Sequence, residues 1–377
     1  MAGIYLHIPF CKKACHYCNF HFSTSLRGKN DFTMALLKEM VLQENYLQGD
    51  TIDTVYFGGG TPSLLEEEEL NAILQRLHQH YHIHPGAELT LEANPDDINP
   101  AKLAVWKAAG INRLSIGIQS FFESDLQWMN RAHNALQAEA CIRMAQEAGF
   151  DNLTIDLIYG TPGLTDEHWE KNVRSAIALN VPHLSCYALT VEPGTALQKM
   201  IAQHKKEAVD EDRQARHFML LMQWMEEAGY EHYEISNFAR PGFRSRHNTS
   251  YWQGKKYLGL GPSAHSFNGA ARQWNIANNA LYTQSLAKDL VPFEEEKLDA
   301  VQRLNEYIMI SLRTMEGIDL HRLEQQFGPA AHTTVIASLQ PYLLRNQCTI
   351  NDGHIVLTRE GKLFADGIAS ALFLGAE

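Results

Sequence analysis

Three cysteines near the amino terminus are the residues best suited to chemistry. Cys11, Cys15 and Cys18 follow the short apolar run Ile4–Pro9 at a CxxxCxxC spacing. Iron–sulfur clusters are held by cysteine thiolates, normally one for each exposed iron. Three thiolates leave one iron of a four-iron cluster without a protein ligand, and an open iron can take a substrate or cofactor. The spacing therefore predicts a [4Fe–4S] cluster with an exchangeable position.

A structural zinc site is the main alternative for these cysteines. Such sites usually have four ligands in paired CxxC or HxxxH spacing. His16 is a candidate fourth ligand, but it stands between two of the thiols and would crowd the loop. The other cysteines, Cys141, Cys186 and Cys348, are scattered in apolar surroundings. We expect them to be small core residues and not disulfide partners.

Composition bounds the class of protein. The chain has 377 residues and a formal net charge of −12, which argues against a nucleic-acid or anionic-membrane partner. No run approaches the roughly 18 apolar residues of a membrane helix. The opening segment does not combine a basic region with a long apolar run, so we expect no signal peptide. Clustered thiols without a secretory signal predict a reducing, cytoplasmic location.

Six apolar runs typical of β-strands recur in the first half of the chain, each followed by a helical pattern. The predicted strands are Ile4–Pro9, Thr54–Gly58, Glu88–Ala93, Arg113–Gln119, Leu153–Tyr159 and His183–Leu189. Strand–helix units in series imply a parallel sheet with right-handed crossovers. Nearly every strand ends in polar residues or glycines, and such groups converge at the carboxyl face of a β/α barrel. We therefore expect an α/β fold with a partial (β/α)6 barrel.

The pattern changes after the sixth strand. We expect the barrel in residues 1–230, a connecting region in 231–295 and a small helical, winged-helix-like domain in 296–377. The connecting region includes a predicted strand, Tyr233–Phe238. The last domain includes a predicted hairpin around Asn351-Asp-Gly, a favoured tight-turn sequence. That domain lacks the basic stripe of a DNA-binding surface, so no nucleic-acid partner is expected.

A glycine run follows the second predicted strand, in Gly58-Gly59-Gly60-Thr61-Pro62. Glycines at a strand end let the backbone approach a ligand closely. The cysteine loop with Tyr17 before its last cysteine, followed by this run, resembles the radical S-adenosylmethionine enzymes. The resemblance implies that three cysteines hold a [4Fe–4S] cluster and that the methionyl amino and carboxylate groups chelate the fourth iron. One-electron reduction then yields a 5′-deoxyadenosyl radical.

Further motifs over roughly residues 3–270 are similar to the oxygen-independent coproporphyrinogen oxidase group. They are Tyr5-x-His-Ile-Pro-Phe-Cys, Glu92-x-Asn-Pro, Arg113-x-Ser-x-Gly-x-Gln-Ser-Phe, Asn130-Arg-x-His and Ile155-Asp-Leu-Ile-Tyr-Gly-x-Pro. The resemblance implies that S-adenosylmethionine is bound by Tyr5, Tyr17, Gly59, Gly60, Thr61, Glu92, Gln119, Arg131 and Asp156. The last three face a second cofactor-sized or substrate site beside it. Glu92 can accept hydrogen bonds from ribose hydroxyls or the amino group, and Arg131 can pair with a carboxylate.

Two departures point to a subgroup. The decarboxylating oxidases carry a fourth cysteine where this chain has Phe20, and an extension ahead of the cluster, which here begins at Cys11. The run His247-Asn-Thr-Ser-Tyr-Trp252 resembles the HNxxYW heme-binding motif of the HemW heme chaperones. It implies that His247 binds heme, as a histidine is the usual proximal heme ligand. His265 is a second candidate.

The leading hypothesis is a heme chaperone that binds heme and transfers it to an acceptor protein. The alternative is an oxygen-independent coproporphyrinogen III oxidase, which would decarboxylate propionate side chains. A radical methyltransferase acting on a tetrapyrrole is the third hypothesis. An intact cluster site does not by itself establish turnover. A homodimer is left open.

Overall fold

The computed structural model describes residues 1–375. Its strands are β1 Ala2–Ile8, β2 Ile52–Gly59, β3 Ile83–Ala93, β4 Arg113–Gln119, β5 Leu153–Tyr159, β6 His183–Ala188, β7 Glu231–Glu234, β8 Asn237–Ala239, β9 Tyr257–Leu260, β10 His265–Phe267, β11 Ala271–Asn275, β12 Phe293–Lys297, β13 Ile318–Asp319, β14 Cys348–Asn351 and β15 His354–Leu357. Its α-helices are α1 Lys29–Leu42, α2 Glu67–His80, α3 Pro100–Ala108, α4 Glu123–Met129, α5 Ala135–Glu147, α6 Asp166–Ala178, α7 Ala196–Ala202, α8 Glu211–Glu227, α9 Arg246–Trp252, α10 Asn279–Leu286, α11 Ala300–Leu312, α12 Leu320–Leu344 and α13 Ala365–Ala371. None of these helices is long and apolar enough to cross a membrane.

One large sheet positions the site. Its strand order is β12-β11-β10-β9-β1-β2-β3-β4-β5-β6-β8-β7. The first six strands are parallel neighbours in sequence order, whereas a doubly wound sheet reverses its order part-way. At the two ends of this run, β1 pairs with β9 and β6 pairs with β8, so the barrel stays open. The predicted partial (β/α)6 barrel is confirmed.

The core explains why these segments form strands. In β1 the side chains of Ile4, Leu6 and Ile8 are fully buried; between them His7 is buried and Tyr5 is half-buried. Continuous burial is typical of parallel strands that are covered on both faces. Helices α3 and α5 each end at a glycine of positive φ, Gly110 and Gly149. Glycine adopts this left-handed conformation without a Cβ penalty, which lets the chain turn directly into the next strand.

One predicted strand is wrong. Instead of a single strand over Tyr233–Phe238, the chain forms the antiparallel hairpin β7–β8. The Glu234 carboxylate accepts hydrogen bonds from the backbone N–H of Ser236 (3.2 Å) and from the side chain of Asn237. These side-chain contacts stabilise a tight turn that contains neither glycine nor proline.

The C-terminal residues form a second hydrophobic core, which includes Leu304, Ile308, Val335 and Ile355. A three-stranded sheet in the order β13-β15-β14 packs there with α11, α12 and α13. Helix α12 is interrupted at Gly328, which has a φ of 87° and precedes a proline. The predicted hairpin is confirmed, since Asp352 and Gly353 between β14 and β15 both have positive φ.

Candidate cluster and cofactor site

The carboxyl ends of the parallel strands open into one cavity of about 420 Å³. Every one of the six strands, or the loop after it, contributes to the lining, as the curled sheet requires. Of the residues predicted to hold the cluster or S-adenosylmethionine, the cavity is lined by Cys11, Cys15, Cys18, Tyr17, Gly59, Gly60, Thr61, Glu92, Gln119, Arg131 and Asp156. Tyr5 lies outside this set and lines a second cavity.

Backbone hydrogen bonds hold the cysteine loop at its first cysteine and within the loop. The N–H of Cys11 donates to the carbonyl of Ser23 (3.0 Å), and the N–H of Cys18 donates to the carbonyl of Cys15 (3.3 Å). The Thr61 hydroxyl donates to the Cys11 sulfur (3.3 Å), and the Arg131 guanidinium donates to the Cys15 sulfur (3.3 Å). Such donors stabilise thiolates and tune a bound metal centre.

The thiols fit a cluster better than a single ion. Among residues 1–375, no three His, Cys, Asp or Glu side chains converge closely enough to hold one metal ion. A zinc ion needs such convergence, whereas each thiolate of a four-iron cluster binds a different iron. Burial raises the pKa of Cys11 and raises that of Cys18 to about 11. Cluster binding would require these thiols to lose their protons, which the raised pKa values oppose. The free energy of metal binding would therefore have to drive the deprotonation.

The glycine run brings the backbone of β2 against the cysteine loop. The N–H of Gly60 donates to the carbonyl of Ile8 (2.9 Å). A Cβ at Gly60 would lie 2.7 Å from the carbonyl oxygens of Ile8 and Phe10. Gly59 has a φ of 99°, and a Cβ there would lie 2.6 Å from the His7 ring. The close approach and the positive φ both require glycine.

Two half-buried carboxyl groups, those of Glu92 and Asp156, face the cavity. Glu92 accepts a hydrogen bond from the Tyr56 hydroxyl (2.8 Å). Burial raises the pKa of Glu92 to about 7, with a further contribution from the negative charge of Asp156. Burial raises the pKa of Asp156 to about 6, against the hydrogen bond from Ser185 and the charge of Arg131. A positively charged ligand would shift both groups toward the ionised form.

Arg131 is held as a rigid donor between the strand ends. Its guanidinium donates to the side-chain oxygen of Asn94 (2.7 Å) and to the carbonyl of Gly117 (2.7 Å) in addition to Cys15. Gln119 lies at the end of β4 with a φ of 67°, a strained conformation for a residue other than glycine. Strain of this kind is common at ligand sites.

Sequence reasoning did not assign several residues of this cavity. They are Tyr56, Asn94, Arg113, Ser115, Thr154, Ser185, Tyr187 and Asn248. Arg113 is only 1% exposed and donates hydrogen bonds to the side chains of Asn152 and Thr154. In the sequence, a positively charged residue at the start of a mainly apolar strand could have indicated a site role for Arg113. Asn94, Ser115 and Asn248 belong to the motifs quoted above, but no role was predicted for them. The others, Tyr56, Thr154, Ser185 and Tyr187, are strand positions without a distinctive spacing.

The HNxxYW run forms helix α9 in the wall between the two cavities. Asn248 lines the cavity at the strand ends that the three cysteines line, called the cluster cavity from here on. Tyr251 and Trp252 line the other cavity, the one that Tyr5 also lines, called the second cavity. Ser245 caps the amino end of the helix by accepting from the N–H of Asn248 (3.3 Å). The buried carboxylate of Glu88 accepts from the N–H of His247 (3.0 Å), which anchors the helix to β3.

His247 is buried and both of its ring nitrogens are engaged. Its side chain is 1% exposed, with Nδ1 at 2.8 Å from the Thr54 hydroxyl and Nε2 at 2.8 Å from the Tyr251 hydroxyl. Its ring stacks on Tyr56 with centroids 5.0 Å apart. Burial lowers the pKa of His247 to about 3, so the imidazole is neutral. His265, in contrast, is exposed and lines the second cavity.

Comparisons with known proteins agree with this architecture. Residues 5–176 match the Radical SAM superfamily, and residues 298–364 match the HemN C-terminal domain. The structure is similar to coproporphyrinogen III oxidase (HemN) from Escherichia coli, with a TM-score of 0.85 and 23% identity, covering 99% of this chain and 90% of that one. At 23% identity, this similarity shows that the two proteins share a fold, and it shows nothing about a shared activity.

Two full-length relatives identify the family. Heme chaperone HemW of Mycobacterium tuberculosis is 36% identical over 377 residues, covering 98% of this chain and 94% of that protein. Heme chaperone HemW of Bacillus subtilis is 31% identical over 380 residues, covering 100% of both. With the partial barrel, the cysteine loop and the HemN-type C-terminal domain in place, the chain therefore belongs to the HemW family of the radical SAM superfamily.

Proposed function

We propose that this protein is a heme chaperone, which binds heme and passes it to an acceptor protein. The proposal rests on the position of helix α9, which the HNxxYW run forms. Helix α9 forms a wall between the cysteine-lined cavity and a second cavity of about 1180 Å³. The names of the full-length relatives, heme chaperone HemW, support the same function.

The cluster cavity is the proposed site for a [4Fe–4S] cluster and S-adenosylmethionine. Cys11, Cys15 and Cys18 would hold the cluster, with Thr61 and Arg131 donating to its sulfur ligands. Bound there, the two groups supply one-electron chemistry that the chain's own residues cannot. The protein's part is to orient them and to exclude water.

The other predicted residues would bind S-adenosylmethionine around the open iron. We propose that the backbone of Gly59 and Gly60 contacts its amino and carboxylate groups. Glu92 accepts from a hydroxyl or the amino group, and Asp156 lies deeper in the cavity. Gln119 and Tyr17 contribute further polar contacts. Tyr5 acts indirectly, because its ring stacks on Tyr56 (centroids 6.1 Å apart), which in turn donates to Glu92.

We propose that His247 contributes to heme binding from within helix α9. Its Nε2 reaches the Tyr251 hydroxyl, and Tyr251 lines the second cavity. To bind iron itself, His247 would have to exchange this hydroxyl for the metal. In the present arrangement it fixes the position of Tyr251 at the cavity wall.

Coproporphyrinogen III oxidation is the alternative function. The fold of the Escherichia coli oxidase is shared along the whole chain. Phe20 takes the position at which that group carries a fourth cysteine, so the loop offers no fourth thiol there. We therefore expect no turnover of coproporphyrinogen III.

We further infer a cytoplasmic protein whose partners are heme and the acceptor. The net charge of −12 disfavours nucleic acid as a partner.

An anaerobic heme titration of the cluster-reconstituted protein, followed by absorbance, tests the proposal. We expect saturation near one heme per chain and weaker binding by His247→Ala. Incubation with coproporphyrinogen III, S-adenosylmethionine and a reductant should give no decarboxylated product. Absence of saturable heme binding, or product formation in that assay, would contradict the chaperone function.

A further inference from the structure

The second cavity lies between the barrel and the C-terminal helices. Its volume of about 1180 Å³ exceeds the range of roughly 300–1,000 Å³ that is usual for small-molecule sites. The barrel side contributes residues of α9, β9 and β10, such as Tyr251, Tyr257 and Phe267, and the opposite side contributes Tyr307 and Phe327 of α11 and α12. The cavity is thus broad, with aromatic side chains on both sides. A large, flat, apolar ligand fits such a space.

Exposed apolar side chains add to this lining. Phe20 is 66% exposed, Val301 is 44% exposed and Met309 is 38% exposed, and all three line the cavity. Large apolar side chains exposed together usually mark a binding surface. Phe20 lines the cluster cavity as well, so the two cavities meet at this side chain.

Two guanidinium groups in the cavity lack acidic partners. Arg303 of α11 and Arg322 of α12 are exposed and line the cavity. Within the described residues 1–375, no carboxylate lies within 4.0 Å of either one, whereas Arg272 in the same cavity pairs with Glu306 (2.8 Å). The Arg322 guanidinium lies over the Tyr307 ring, 4.9 Å from its centroid. Free guanidinium groups bind carboxylates in a bidentate geometry.

Of the three histidines that line the cavity, His7 is buried, His21 is half-buried with Nε2 at 2.7 Å from the side-chain oxygen of Asn279, and His265 is exposed. The His265 ring stacks on Trp274 with centroids 6.1 Å apart. In the part of the chain that the structure describes, neither of its ring nitrogens makes a hydrogen bond to a protein atom. The ring nitrogens of His247 are both engaged.

We propose that heme occupies the second cavity, with His265 as an iron ligand and with Arg303 and Arg322 as partners for the two propionates. This inference rests on the proposed heme-binding function and specifies its site. Helix α9 supports the site through Tyr251 and Trp252. His247 then contributes by holding Tyr251, and the iron is bound by His265.

Binding of hemin and of iron-free protoporphyrin IX separates the two roles. His265→Ala should weaken hemin binding about tenfold or more and alter the Soret band, because it removes an iron ligand. Its affinity for protoporphyrin IX should stay within about twofold of wild type, which also shows that the cavity is intact. His247→Ala should lower the affinity for hemin and for protoporphyrin IX to the same extent. The absorbance spectrum of its hemin complex should match that of the wild type.

The arginines are tested by a double substitution. Arg303→Ala with Arg322→Ala should weaken hemin and protoporphyrin IX about tenfold each, because both ligands carry propionates. Replacement of both arginines by lysine should restore part of the affinity. Matched controls are His82→Ala, an exposed imidazole of the β2–β3 region, and Arg143→Ala with Arg174→Ala, two exposed guanidinium groups on α5 and α6.

The outcomes distinguish this site from the proposed function. If wild-type protein shows no saturable hemin binding, both the chaperone function and the proposed heme site in the second cavity are contradicted. If hemin binding is saturable but is unchanged in affinity and spectrum by His265→Ala, the chaperone proposal stands and the assignment to His265 is overturned. Equal losses from the control arginines and from Arg303 and Arg322 would overturn the propionate contacts.

Discussion

Phe20 lies two residues after Cys18, at the point where the cluster cavity meets the second cavity. Its aromatic ring is 66% exposed, which is unusual for a side chain of this size beside a buried site. A cysteine here would add a thiol next to the cluster. The phenylalanine instead adds an apolar surface between the two proposed ligands. Phe20 is thus one of the two departures of this chain from the oxidase group.

The three loop cysteines should be individually essential for cluster binding. We expect Cys11→Ala, Cys15→Ala and Cys18→Ala each to lose iron and sulfide after anaerobic reconstitution, because each thiolate binds a different iron. Cys141→Ala is the control, since Cys141 is fully buried in α5 away from the loop. Analysis of bound iron and sulfide measures the outcome. Normal cluster content in any of the three variants would contradict the assignment.

At the scale of the element, the end of β2 determines the shape of the cysteine loop. We expect Gly60→Ala to lower the free energy of unfolding by about 1–3 kcal/mol, because the added methyl group meets rigid backbone atoms of Ile8 and Phe10. Cluster content after reconstitution should fall as well. Denaturant unfolding of the cluster-free protein and iron analysis measure the two effects.

Gly86→Ala is the matched control for this substitution. Gly86 lies near the start of β3, its φ is not in the positive range, and a Cβ there would come no closer than 3.4 Å to the His84 ring. This variant should keep the stability and the cluster content of the wild type. Equal losses in both variants would mean that the close approach of Gly60 to β1 is not what shapes the loop.

Sequence patterns predicted the strands of the barrel but not every local turn. The parallel strands are apolar and are bounded by glycines, so their positions follow from composition. The turn between β7 and β8 depends on the Glu234 carboxylate, whose contacts no spacing rule describes. Helix α9 is short, and its start depends on the tertiary contact between Glu88 and the N–H of His247. Such contacts cannot be inferred before the fold is known.

At the scale of the whole molecule, the two cavities differ in how far they could be predicted. The cluster cavity is formed by strand ends, and barrel geometry brings those together whatever their sequence separation. The second cavity depends on how α11 and α12 pack against the barrel, which joins residues as distant as Tyr5 and Tyr307. Arg303 and Arg322, which line it, do not belong to any of the sequence motifs described above. Only the three-dimensional structure shows that His265 lines the same cavity as Arg303 and Arg322.

The barrel also buries several neutral histidines, which should make its stability sensitive to acid. Burial lowers the pKa of His7 and His133 to about 4, and that of His232 and His247 to about 3. The unfolded chain, with ordinary histidine pKa values near 6.5, binds more protons below that pH. Stability is therefore lost as pH falls below about 6.5. The raised pKa values of five carboxyl groups act in the opposite direction, namely those of Glu39, Glu92, Asp125, Asp156 and Glu234. They are fewer than the eight histidines of residues 1–375 whose pKa is lowered.

The contribution of His247 to this acid sensitivity can be isolated. Each buried neutral histidine adds about 1 kcal/mol per pH unit to the loss of stability between pH 6 and pH 5. We expect His247→Gln to be less stable than wild type at pH 7, because it disturbs the contacts with Thr54 and Tyr251. Its unfolding free energy, measured by denaturant titration, should fall less steeply between pH 6 and pH 5. The exposed-site variant His82→Gln should keep the wild-type slope, and an unchanged slope in His247→Gln would show that this imidazole is not held neutral by burial.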